Sequence, residues 1–598
     1  MKGKELPQRD AVKKENKWRV EDLFGSDSDW ESALDEVLKK IDEYGAFRGT
    51  LCDKPGGTLE FFKFNDETEL LLERVYCYAS MRLHEDMANA KYQGFFGRAQ
   101  NAYLKLCDEA SFVDPELLAL SDEQMSAFMA YPGMEPYKKY LNDLSLRRPH
   151  TLSKKEEALL SSAGKMAQSP SEIFSMFNNA DIDFPFVRDE NGDDVKLSHG
   201  TYTKLLESRD RRVRKDAFKA MHETYGRSKN TIAAVFNANL KQASFFAKAR
   251  NYPSARGMYM SENHIPEKVY DNLIDVVHEN IGLMHRYVKL RKRALGLDEL
   301  HMYDLYVPMT GDFERTYTFS EAKEIACDAL RPLGDDYVKL LRDGMNGGWI
   351  DVYENRGKRS GAYSTSVYGT HPFVLMNFNG TLNDVFTLVH EMGHSLHSHY
   401  SNENQPYSLS GYRIFVAEVA STCNESLLIN YLLKKCRDDT ERIFLLNRFL
   451  ENFKGTLYRQ TMFAEFEKKT HEMIAEGNVL TADSLCEIYY GLNRFYFGDG
   501  MSVDRDIEFE WARIPHFYTP FYVYQYATGM SASIAISKRI LNEGDPAVRD
   551  YKRFLKSGGS ADPIDLLRIA GVDMESPEPV REAMGMFGDL LDEMEGLL

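Results

Sequence analysis

Cysteine is scarce in this chain: seven among 598 residues, at positions 52, 77, 107, 327, 423, 436 and 486, never spaced as C-x-x-C. An odd, scattered set excludes a disulfide framework and a cysteine metal site, and reads as reduced thiols. Long apolar runs are missing too. No stretch reaches the roughly 18 apolar residues that a membrane span requires, and Met1 to Lys17 is charged without an apolar core. The expectations that follow are no membrane partner and, by default, a cytoplasmic location. Basic charge is in deficit, with 74 Lys and Arg against 92 Asp and Glu, a net charge of −18. That balance excludes nucleic acid as a sequence-independent partner, because phosphate binding needs a basic surface. Ser/Gly/Pro-rich linkers, low-complexity tracts and short repeats are absent as well, which favours subdomains packed into one body.

What is present supports a large core, with 43% hydrophobic residues and 28% charged. Apolar residues at three- and four-residue spacing predict helices over Trp30–Tyr44, Asn65–Met87, Tyr92–Phe112, Tyr202–Ala249, Pro266–Leu295 and Ser421–Lys435. Two segments read as β-hairpins: Asp181–Leu197 around Asn191-Gly192, and Tyr363–Phe378 around Gly369. Arg209, Arg211, Arg212, Arg214 and Lys215 are interleaved with Glu207, Asp210 and Asp216, which predicts an ion-paired helix face rather than an anion site.

The most informative run is His390-Glu391-Met392-Gly393-His394, an H-E-x-x-H inside a helical pattern. Histidines four apart lie one turn apart on one helix face and can share a metal ion, while Glu391 projects beside them to act on a water. Leu388, Val389, Met392 and Leu396 form an apolar stripe, so the helix is expected to be buried, with Asn383 and Asp384 available to cap it. Gly393 weakens a helix interior by about 1 kcal/mol relative to alanine, so it implies either another backbone close to the metal or a tight helix crossing.

A catalytic zinc takes three protein ligands and leaves a position for water. The metzincin pattern would put Gly and His three and six residues after His394, but His397 and Tyr400 stand there. A downstream glutamate remains: Glu403, Glu418 or Glu425. Glu403 sits in Ser-Asn-Glu-Asn-Gln-Pro, which reads as a solvated loop, whereas Glu418 lies in the apolar run Ile414-Phe415-Val416-Ala417-Glu418-Val419-Ala420. A carboxylate there needs a compensating partner such as a cation. Glu425 falls seven residues later on the same face and suits either a carboxylate orienting a ligand histidine or a surface ion pair. His397 and His399 read as packing or supporting residues. The hairpin ahead of the motif, with Gly361, Gly369 and Gly380, offers a strand edge to an extended peptide or a buttress for the motif helix.

The runs His390–His397 and Phe415-Val416-Ala417-Glu418-Val419-Ala420-Ser421 resemble oligoendopeptidase F of the thimet oligopeptidase superfamily. The resemblance extends to Gly361-Ala362-Tyr363-Ser364, to Pro372–Gly380, to His516-Phe517-Tyr518, to Phe521–Gly529 and to the opening Asn16–Phe24, covering nearly the whole chain. It implies a mainly α, two-lobed helical body of gluzincin-like zincin type, with a deep substrate channel and a small β-hairpin or sheet near the motif helix. It implies one zinc ion per chain on His390, His394 and Glu418, with Glu391 as general base. It assigns oxyanion stabilisation to His516 and to tyrosines after it, here Tyr526, then Tyr522, then Tyr524; the Tyr spacing departs from the thimet branch. Ring packing is the alternative role for each. The expected activity is hydrolysis of internal bonds of short peptides; the sequence leaves the oligomeric state open, with a monomer as the default. The alternatives are a dipeptidyl carboxypeptidase, for which Lys358, Arg359 and Arg513 are the available cations, and a non-catalytic zinc-containing peptide-binding protein. The expected division is a helical region over 1–115, an oligoendopeptidase F N-terminal-type subdomain with hairpin over 116–200, and a catalytic metallopeptidase domain over 201–598.

Overall fold

The computed structural model describes residues 5–311 and 315–598, so the first four residues of the charged opening stretch lie outside it. The fold is mainly α, as expected, and the chain divides into two compact units. One comprises Met1–Pro149, Arg315–Tyr431 and Ile536–Val572; the other comprises His150–Glu314, Leu432–Ala535 and Asp573–Leu598.

In the first unit, the helices Asp27–Glu43, Pro55–Glu85 and Ala90–Glu109 match three of the expected helices. Their apolar faces form one core with Phe373 and Leu375 of the small sheet and with Val367 in its connecting turn. Trp30 is fully buried and stacked on Phe95 at 3.9 Å, and its indole N–H donates to the Val75 carbonyl at 2.8 Å, so the ring is buried without an orphaned donor. The sheet has three strands: β3 (Ile350–Asp351), β4 (Tyr363–Thr365) and β5 (Phe373–Leu375), ordered β3-β5-β4. The expected hairpin is the antiparallel β4–β5 pair, with Ser364 opposite Val374. The parallel strand β3 was not foreseen; two residues are too few for a periodic signal.

The opening segment buttresses β3. Arg19 N–H donates to the Gly348 carbonyl at 2.8 Å, and Val352 N–H donates to the Asn16 carbonyl at 3.0 Å. Arg9 bridges Glu85 at 2.7 Å and Asp351 at 2.5 Å, and Trp18 donates to Glu85 at 2.8 Å. Asp351 also pairs at 2.7 Å with Lys358, both side chains being fully buried. Lys358 donates further to the carbonyls of Asp351, Tyr353 and Met376, closing the turn between β3 and β4.

In the second unit, the hairpin β1 (Phe186–Arg188) and β2 (Asp194–Lys196) forms as expected, with Val187 opposite Val195. Two expected long helices are each broken. Tyr202–Ala249 is three helices, His199–Leu206, Arg211–Arg227 and Lys229–Ala249; Pro266–Leu295 is two, Glu267–Glu279 and Ile281–Ala294. Of the three breaks, one spans residues 207–210, where Asp210 caps the next helix, and those at Ser228 and Asn280 are single non-helical residues, too short to interrupt the apolar period. The basic cluster is ion-paired, but its main partner is remote: fully buried Asp304 accepts from Arg214 at 2.7 Å and Arg211 at 2.8 Å. Arg212 pairs with Asp210 and Asp216 as the local pattern implied.

Removing one member of a buried ion pair strands the other charge, so Lys358→Met should destabilise the protein by roughly 3 kcal/mol, moderated by Arg9. Urea denaturation checks it; an unchanged midpoint would show that the pair contributes nothing.

Candidate active site

The helix carrying the motif runs Leu382–Asn404 and starts in a capping box. Thr381, not Asn383, is the cap: its hydroxyl accepts from Asp384 N–H at 3.2 Å, and the Asp384 carboxylate accepts from Thr381 N–H at 2.9 Å. Gly380, just before it, has φ 83°, and a side chain there would meet the Tyr317 carbonyl at 2.8 Å. The helix therefore starts at a fixed point. Leu388, Val389, Met392 and Leu396 are fully buried, as the stripe predicts. Glu403 lies in the exposed last turn of this helix rather than in a loop.

A second helix, Ile414–Lys435, begins before the expected Ser421 and carries Glu418 and Glu425. The two helices cross at Gly393: a Cβ there would stand 2.6 Å from Ser421 Cα and 3.1 Å from the Ala420 carbonyl oxygen. The glycine thus serves a helix crossing, and the backbone it admits belongs to the helix that carries the glutamates. Asn424 donates to the Val389 carbonyl at 3.4 Å across the same crossing.

That contact brings three donors together. His390 Nε2 and His394 Nε2 are 3.2 Å apart, and Glu418 Oε2 lies 3.4 Å from the first and 3.5 Å from the second. Zinc ligands at 2.0–2.1 Å in a tetrahedron stand about 3.3–3.4 Å from one another, so the donor set fits a zinc ion in both chemistry and spacing. Glu425 Oε1 lies 2.5 Å from His390 Nδ1, the hydrogen bond that leaves Nε2 facing the other donors.

Electrostatics follow the geometry. Burial alone would lower the His390 imidazole, but Glu418 and Glu425 outweigh it and push it up to about 10. Burial would raise Glu418, yet hydrogen bonds from the two imidazoles hold it well below the usual carboxylate range. Glu391, 8% exposed, is raised by burial against the pull of His390 and His394. His397 is a packing residue, stacked on Tyr412 at 3.8 Å, and His399 lies against Trp349 at 5.8 Å.

Sequence reasoning did not single out Ser364 and Ser395, whose hydroxyls are 2.8 Å apart and tie β4 to the motif helix. The available signals were the position of Ser395 next to His394 and the place of Ser364 in the run Gly361–Ser364 that resembles the family. β4 has β5 on one side and no other strand among the described residues on the other, leaving an edge beside the motif helix.

The aromatic segment lies in the other unit. Phe517 is buried against Phe466 at 5.0 Å and Phe463 at 5.5 Å, which anchors the short helical turn Pro515–Tyr518. His516, Tyr522 and Tyr526 gather on one side: His516 and Tyr522 rings are nearly parallel at 6.4 Å, Tyr522 meets Tyr526 edge-on at 5.6 Å, and His516 Nε2 is 3.3 Å from the Tyr526 hydroxyl. Tyr524 points away, 1% exposed and packed on Tyr270 at 5.0 Å, and Tyr518 stacks on Phe174 at 4.2 Å. Burial, then the positive charge of Arg459, lowers the His516 imidazole and favours its neutral form.

The family model described as peptidase family M3 matches residues 204–586, and one described as oligopeptidase F matches residues 116–184. The chain belongs to peptidase family M3. Oligopeptidase PepF of Bacillus subtilis is 46% identical to this M3 peptidase over 598 residues, 100% of this chain and 89% of that protein. The crystal structure of oligoendopeptidase-F from Enterococcus faecium is 38% identical with a TM-score of 0.75, covering 96% of this chain and 99% of that one. A crystal structure from Chlamydophila abortus is 35% identical with a TM-score of 0.95, covering 99% and 100%.

Because all three close neighbours of a Cβ on Gly393 are backbone atoms, Gly393→Ala should force the helices apart. It should cost about 1–3 kcal/mol of stability despite the better helix propensity of alanine, and weaken zinc binding. Denaturation with zinc titration tests it; a stabilised variant with full zinc affinity would refute the crossing argument.

Proposed function

We propose that this M3 peptidase is a zinc-dependent endopeptidase that cleaves internal bonds of short peptides, with one zinc per chain held by His390, His394 and Glu418. The observation that carries the reading is the triangle of two imidazole nitrogens and one carboxylate oxygen at 3.2–3.5 Å beside Glu391. The names of the relatives, oligopeptidase and oligoendopeptidase F, support the substrate class.

Bound zinc supplies Lewis acidity, polarising the scissile carbonyl and lowering the pKa of the attacking water. Glu391 takes the proton of that water at its carboxylate and delivers it to the amide nitrogen as the amine leaves. Glu425 holds His390 through Nδ1, fixing the tautomer and ring orientation. The free edge of β4 accepts and donates main-chain hydrogen bonds to an extended peptide, which suits substrates of varied sequence. His516 with Tyr526, then Tyr522, donates to the oxyanion of the tetrahedral intermediate.

An exopeptidase would need a cation for the substrate's terminal carboxylate. Lys358 is fully buried and held by Asp351 and three carbonyls. Arg359 donates to His84 Nε2 at 2.9 Å and lies over the Tyr363 ring, while Arg513 packs over Tyr202 near Glu510. These engagements favour the endopeptidase reading. The seven cysteines are all free, which supports a reducing, cytoplasmic setting, and no helix among the described residues is long and apolar enough to cross a membrane.

Incubation of the zinc-loaded protein with N-terminally blocked peptides of graded length, read by mass spectrometry, tests the reading; cleavage confined to dipeptides from the free C-terminus would replace it with the exopeptidase. Glu391→Gln should keep its zinc and lose roughly 10²-fold or more in turnover. High residual activity with full metal content would remove Glu391 from its role. Tyr526→Phe should lower kcat and kcat/KM together by about 2–4 kcal/mol with KM and zinc little changed. A change in KM alone would make Tyr526 part of the peptide groove.

A further inference from the structure

The aromatic segment turns at Phe521, which has φ 54°, a left-handed backbone conformation unusual for a bulky residue. Such a conformation persists only where the surroundings impose it. The helix Arg459–Ala475 provides two grips one turn apart: Glu467 Oε1 accepts the Phe521 N–H at 2.7 Å, and the His471 ring lies 4.6 Å from the Phe521 ring. Glu467 is 2% exposed and His471 7%, and Tyr270, whose hydroxyl donates to the Ala464 carbonyl at 2.6 Å, lies 3.4 Å from the second Glu467 oxygen. The next residue after the turn is Tyr522, whose ring faces His516.

We propose that Glu467 is a positioning residue: by accepting the Phe521 N–H it holds the left-handed turn that sets Tyr522 and Tyr526 against His516. The inference rests on the oxyanion role given above to those three residues. Burial pushes the Glu467 carboxyl up to about 8, opposed by the Phe521 and Tyr270 hydrogen bonds, and with or without its proton it keeps an oxygen that accepts the Phe521 N–H. An amide carbonyl oxygen can take the same N–H, whereas a thioether sulfur is only a weak acceptor.

The experiment compares Glu467→Gln and Glu467→Met, with Glu467→Asp, which withdraws the carboxyl by one methylene, in place of Met if that variant does not fold. Two quantities are read: steady-state kinetics on a blocked peptide, and deuterium uptake by the 516–526 stretch. Glu467→Met should lose about 10- to 100-fold in kcat with KM and zinc content unchanged, the scale of a misplaced catalytic group. Its uptake over 516–526 should rise while uptake elsewhere does not. Glu467→Gln should restore both to within about threefold of wild type. Unchanged uptake and turnover in Glu467→Met, or equal damage in Gln and Met, overturns the proposal. Silent Tyr522→Phe, Tyr526→Phe and His516→Ala would instead remove the oxyanion reading, and the uptake arm would still decide whether Glu467 holds the turn.

Discussion

The contact on which the metal end depends is the crossing of the motif helix with the glutamate helix at Gly393 and Ser421, where a single Cβ would clash with backbone at 2.6 Å. One glycine in a helix interior costs about 1 kcal/mol in propensity. In return the helices approach closely enough for a short glutamate side chain to reach both imidazoles. The rest follows from periodicity: residues 390 and 394 are one turn apart on one helix, and 418 and 425 are two turns apart on the other. The first glutamate therefore meets the two Nε2 atoms, and the second meets His390 Nδ1.

A crossing this tight is useful only if the motif helix is held in register, and its supports run back to the start of the chain. The capping box and Gly380 fix its first turn, Ser395 ties its middle to β4, and β4 is held through β5 and β3 to the opening segment. Arg9, Trp18, Glu85, Asp351 and Lys358 form a buried charged network in which each carboxylate has a cation or a ring N–H. Residues Asn16–Phe24 are thus remote from the motif in sequence yet hold β3, the far edge of the sheet whose other edge, β4, is tied to the motif helix.

Local features were legible in the sequence because each depends on spacing within one element. The H-E-x-x-H face, the apolar stripe, the two hairpins and the two-turn separation of Glu418 and Glu425 are of this kind. The helix breaks at Ser228 and Asn280 were not legible, since one residue out of helix leaves the apolar period running on both sides. Nor was β3, or the choice of Asp304 by Arg211 and Arg214 about 90 residues away, which the nearer acids Asp210 and Asp216 masked. Among the tyrosines, spacing left the order open; burial separates Tyr524, packed on Tyr270, from Tyr522 and Tyr526 beside His516.

The two proposed halves of the chemistry are preorganised by different means. The metal donors sit on regular helices whose backbone hydrogen bonds are satisfied internally, so their placement needs only correct packing between two rods. Of the aromatic residues, Tyr526 sits in the first turn of the helix Tyr524–Glu543, but the backbone that leads to it from His516 is irregular, with a left-handed residue just before Tyr522. An irregular segment leaves N–H groups that must find acceptors elsewhere, and in a buried setting each acceptor has to be supplied by a side chain or a carbonyl. The Phe521 N–H goes to Glu467, and the Phe517 carbonyl takes its hydrogen bond from the Asn239 amide. A chain built this way concentrates buried polar residues around its irregular functional segment, and those residues carry no motif of their own. They become visible only when each backbone group of the turn is asked where its hydrogen bond goes.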